Sequence, residues 1–132
     1  MAMAGMTDLE EMLRTLTVSV RPDRYTFLSV DEIPALGDGV AAVLTEAEGP
    51  TVVATVARAE AEGWPIEFQA AWLTLDVHSA LEAIGLTAAF SAALGEVGIA
   101  CNVLAGFHHD HLLVPADRAD EAVAVLEGLR DR

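Results

Sequence analysis

The chain has 132 residues, 53% of them hydrophobic, with a mean hydropathy of +0.40 and a formal net charge of −14. Its seven basic residues are all arginine, so it repels phosphate backbones and anionic lipid and lacks a lysine for a Schiff base or a phosphate loop. The single Cys101 excludes an internal disulfide and a cysteine-based structural zinc site, and points to a reducing, cytoplasmic setting.

The apolar excess does not read as membrane. The longest apolar stretch, around residues 97–107, is broken by Gly98, Asn102 and Gly106, well short of the roughly 20 residues that span a bilayer. Met1–Met6 is short, lacks a basic flank and runs straight into Asp8, Glu10 and Glu11, so it is not expected to be a secretory signal. The excess is instead assigned to a core and a subunit interface.

In chain order, Met6–Leu16 carries Leu9, Met12, Leu13 and Leu16 at helical spacing, with Thr7 or Asp8 as N-cap. Thr17–Val20 and Tyr25–Val30 are expected as two strands around a turn at Pro22–Asp23. Asp31–Gly39 is loop or a single turn. Val40–Glu46 and Thr51–Val56 form a hairpin, and Ala57–Glu62 a short helix closed by Gly63. Phe68–Val77 is a long strand. Ser79–Glu82 has capping-box form, and Thr87 is expected to cap a helix whose apolar face is Leu86, Phe90, Ala93, Leu94 and Val97. Ile99–Phe107 and His111–Val114 are strands around a tight turn, and Asp117 caps a last helix burying Ala122, Val123, Leu126 and Leu129.

From Phe68 onward the order is strand–helix–strand–strand–helix, one strand short of a ferredoxin-like βαββαβ unit. Thr17–Arg21 is the candidate for the missing strand. The expected fold is therefore α+β, with two nested ferredoxin-like units, antiparallel sheets and helices on one face. The expected units are residues 1–66, a reduced unit that lends Thr17–Arg21, and residues 67–132.

Residues 77–88 (VHSALEAIGLTA) and 100–115 (ACNVLAGFHHDHLLVP) resemble those of stand-alone prokaryotic ACT-domain proteins, which are similar to the regulatory ACT pairs of aspartate kinase and to amino-acid sensors. The resemblance covers the second half; Asp31–Gly39 stands where an ACT unit carries its first helix. It implies regulation by an amino acid, often at an interface between ACT units, in a homodimer or higher homo-oligomer. The implied ligand loop is Ile84, Gly85 and Leu86; the facing hairpin is Gly106, Phe107, His108 and Asp110. Asn102 and Val103 lie on the strand behind. Chemically, Gly85 permits a sharp turn, and the amides at residues 86–89 open a helix that can seat a carboxylate. Asp110 can oppose an ammonium.

Two other readings compete. His108, His109, Asp110 and His111, with His78, invite a metal, although His109 and His111 share one strand face and two histidines fall short of a zinc site. A pure association module is the second. No nucleophile elbow, zincin motif or dinucleotide fingerprint is present, Cys101 lies in an apolar strand, and Glu46, Glu48, Glu60 and Glu62 read as a solvated acidic face. Trp64 and Trp72 read as packing. The expectation is a non-catalytic protein needing no cofactor, with an amino acid as partner and neither nucleic acid nor membrane.

Overall fold

A computed structural model describes residues 8–77 and 83–131. Its elements in chain order are α1 (Leu9–Arg14), β1 (Val18–Ser29), β2 (Val40–Glu46), β3 (Gly49–Thr55), α2 (Val56–Glu62), β4 (Ala70–Leu75), α3 (Leu86–Glu96), β5 (Asn102–Ala105), β6 (Asp110–Pro115) and α4 (Ala119–Glu127). The strands run β2-β3-β1-β4-β6-β5 in one antiparallel sheet. β2-β3-β1-β4 and β5-β6-β4-β1 are both the strand order of a βαββαβ unit, so β1 and β4 serve twice. The fold is α+β, with nested ferredoxin-like units.

Two compact units are present: Met1–Arg21 with Ala71–Arg132, and Pro22–Ala70. In the first, Asp8 caps α1 by accepting from the amides of Glu10 (3.0 Å) and Glu11 (3.4 Å), with acids in the first turn and Arg14 in the last. Met12 and Leu16 are fully buried in a core shared with Leu73, Leu75, Phe90, Leu94, Leu112, Val114 and Leu126. Along β4, Ala71, Leu73 and Leu75 enter that core while Trp72 and Thr74 take the other face, the period of two that a strand imposes. The start of β1 lies beside β4: Asp76 donates its amide to Thr17 O (2.8 Å) and Ser19 Oγ donates to Asp76 Oδ1 (3.2 Å).

In the second unit, β3 pairs with β1 from Tyr25↔Thr55 to Ser29↔Thr51, and with β2 up to Glu46↔Gly49. Thr55 caps α2 through Oγ1, which accepts from Arg58 N (3.1 Å), and Gly63 closes it with φ 72°. Leu28, Val40, Val52, Ala54 and Ala59 form its core, with Trp64 packed at the edge.

Several local expectations change. Pro22–Asp23 makes no turn: β1 is one strand of 12 residues, because proline's φ is compatible with extended backbone. The N-cap of α3 is Gly85, not Thr87, which lies inside the helix. Ile99 is not strand; its amide bonds back to Leu94 O (3.0 Å), closing α3 through Gly98 at φ 70°. Val97 is 40% exposed rather than part of the buried face. Asp117 falls in a 3-10 turn, Ala116–Arg118, ahead of α4. There Arg118 donates to Gly98 O (2.9 Å) and Val97 O (3.0 Å), serving the carbonyl end of α3. Ser79–Glu82 lies outside the described residues. No helix among the described residues is long and apolar enough to cross a membrane.

Candidate functional site

The start of α3 is built around Gly85, whose φ of 101° is in the region that side chains resist. A glycine brings no capping oxygen, and none of the described side chains replaces it. The first helical bond runs from Ala89 N to Gly85 O (2.9 Å), so the amides of Leu86, Thr87 and Ala88 precede the ladder. A Cβ at position 85 would lie 2.9 Å from Leu9 Cδ2, so the glycine also has a packing reason. Leu86 is buried in the core, whereas Ile84 is 85% exposed.

The β5–β6 hairpin pairs Asn102↔Leu113, Val103↔Leu112, Leu104↔His111 and Ala105↔Asp110. Gly106 N donates to His109 O (2.9 Å), leaving Phe107 and His108 at the tip. Phe107 is 66% exposed, its ring 5.1 Å from that of His108 in an edge-on contact. A Cβ on Gly106 would meet His109 O at 2.9 Å, which explains glycine there. Asn102 is exposed and Val103 half-buried. Asp110 is half-buried, and this desolvation pushes its carboxyl above the usual range, against the lowering influence of His111 and His109.

The two elements start at the same end of the unit. His109 Nδ1 lies 3.3 Å from Val77 O, just past the end of β4; a carbonyl only accepts, so this nitrogen donates. His111 faces Thr74 and Trp72 one step further along, so β6 begins where β4 ends. Leu86 and Phe90 of α3 share a core with Leu112 and Val114 of β6.

The His111 cluster was not among the residues singled out for binding. Trp72 Nε1 donates to His111 Nδ1 (3.3 Å), and Thr74 Oγ1 lies 2.9 Å from the same nitrogen. The Arg21 guanidinium stacks 3.9 Å over the Trp72 ring. Burial, then Arg21 and His109, hold the imidazole below its ordinary pKa, opposed by Asp110 and Asp76. The signal available in the sequence was alternation alone, which sets Trp72 and Thr74 on one strand face.

Among the described residues, no three His, Cys, Asp or Glu side chains converge to hold a metal; His78 lies outside them. Cys101 is half-buried and its thiol is pushed up by desolvation, away from the nucleophilic thiolate.

Residues 4–71 match one ACT domain and residues 67–128 a second. A protein of unknown function from Vibrio cholerae, described as a possible transport protein, is 35% identical over 92% of this chain and 95% of its own, with TM-score 0.80. An Agrobacterium tumefaciens protein is 19% identical over 87% and 89%, with TM-score 0.69. The ligand-free regulatory subunit of aspartate kinase from Thermus thermophilus has the same fold at 10% identity over 85% and 95%, with TM-score 0.62. No curated protein sequence matches. Two matches that together run from residue 4 to residue 128, on a doubled βαββαβ topology, identify this chain as a member of the ACT-domain family.

Proposed function

We propose that the chain is a non-catalytic sensor that binds a free amino acid, or a similar small zwitterion, between the start of α3 and the β5–β6 hairpin. ACT domains are regulatory, ligand-binding modules, and that general role comes with the family. The finer reading rests chiefly on Asp110, a half-buried carboxylate in the pair next to the hairpin turn, Ala105↔Asp110, where desolvation works against its charge. A charged group held at a cost to the free protein is what a site for a cation looks like. The amides of Leu86, Thr87 and Ala88 supply the complementary end for a carboxylate. Ile84 and Phe107, both exposed at the same end of the unit, offer apolar surface to a ligand side chain or to a second copy.

A thermal-shift panel of the twenty amino acids, with the full chain, tests the reading. At about 100 times its dissociation constant, a true ligand stabilises by about 2.7 kcal/mol. Asp110→Asn should weaken binding about 10- to 150-fold, the equivalent of a charge-assisted hydrogen bond worth about 1.5–3 kcal/mol. Flat curves across the panel would favour an association module without a small ligand.

A further inference from the structure

Between β1 and β2, where a βαββαβ order calls for a helix, residues 30–39 form none. Beside this segment is a groove of about 550 Å³, within the range of small-molecule sites. One wall is the end of β1 and the loop that follows it; the other is the far end of α2 and its exit through Trp64 and Pro65. Its chemistry is uneven. The lining carries three acids, Asp31, Glu32 and Glu62, and a single cation, Arg58, a net charge of −2. Arg58 is already engaged: Nε donates to Glu62 Oε1 (3.0 Å), Nη1 donates to Asp38 O (2.8 Å), and the guanidinium lies 5.7 Å from the Trp64 ring centroid. Between the acids lie apolar surfaces from Ile33, 59% exposed, and from Trp64.

We propose that this groove, where the Asp31–Glu32 loop faces Glu62 and Trp64, is a second small-molecule site and takes an aliphatic amine with cationic groups at both ends. The methylene chain lies on Ile33 and Trp64, and the ammonium groups meet the carboxylates on the opposing walls. The Arg58 guanidinium holds Glu62 and Asp38 O through Nε and Nη1, and the acids of the lining outnumber it, so the groove favours cationic over anionic groups. The ligand class therefore differs from the zwitterion proposed for the α3–hairpin site, and the two sites draw on different residues.

The test is calorimetric titration of the full chain with 1,5-diaminopentane at physiological salt, where long-range attraction is screened. Asp31 and Glu32 are exposed, so the double variant Asp31→Asn/Glu32→Gln keeps its fold; it should weaken binding about tenfold or more. Glu10→Gln/Glu11→Gln removes the same charge from α1 and should change it less than about twofold, and Asp110→Asn should leave it unaltered. No binding heat overturns the proposal. Equal weakening by both double variants also overturns it, since the amine is then only attracted by the overall negative charge. Weakening by Asp110→Asn overturns it too, by moving the amine to the hairpin. The amino-acid panel can fail while this titration succeeds, and the reverse.

Discussion

Asp110 and His111 are adjacent on β6 but desolvation moves them in opposite directions, and each gives a separate expectation. The folded-state pKa of Asp110 is raised, so at neutral pH the carboxylate works against folding. Asp110→Asn should therefore raise Tm slightly in the absence of ligand while weakening amino-acid binding. A structural aspartate would show the reverse, a loss of stability. For His111 the folded-state pKa is lowered, so the unfolded chain binds the proton more readily. Its contribution is undiminished above about pH 6.5 and declines as pH falls from there through the depressed folded value. Protonation also turns Nδ1 into a donor, facing the Trp72 N–H and set near Arg21. Denaturant titrations between pH 5 and 8 should show this decline, and His111→Gln should flatten it.

At the level of helices and strands, Asp8 and Gly63 were legible from residue type as a helix start and a helix end, while the N-caps of α3 and α4 and several strand ends were not. Gly63 closes α2 as a left-handed glycine should, and Val40–Glu46 is strand over the whole expected range, whereas the Thr55 hydroxyl that caps α2 lies within the expected strand Thr51–Val56. Thr55→Ala should cost about 1 kcal/mol of stability, read from chemical denaturation of the second unit. The errors have physical causes. Pro22 beside Asp23 has turn composition, yet β1 runs extended through it, a conformation proline's φ allows. Thr87 and Asp117 have capping side chains, but Gly85 takes the cap of α3 through its positive φ, and a 3-10 turn precedes α4. Ile99 is apolar enough for a strand but is used to close a helix. The hairpin and Gly85 could be located from residue types alone. The Trp72–Thr74–His111 cluster could not, because it depends on the register between β4 and β6, which sequence spacing does not contain.

Over the whole chain, the nested topology ties the beginning to the second half. Met12 and Leu16, fully buried, belong to the core of the unit that carries α3 and the hairpin. Met12→Ala should destabilise that unit by about 2–5 kcal/mol, the cost of removing a buried large side chain, and deleting residues 1–21 should unfold it. A truncated chain with a cooperative melt near that of the full protein would show that α1 and the start of β1 are dispensable. The central claim is the zwitterion seat, and mapping backbone amide chemical shifts on titration with the amino acid that gives the largest thermal shift reads it most directly. The largest changes should fall on Leu86, Thr87 and Ala88 and on Gly106–Asp110, and should vanish in Asp110→Asn. Saturable shifts confined to other residues, with those two segments unmoved, would contradict it.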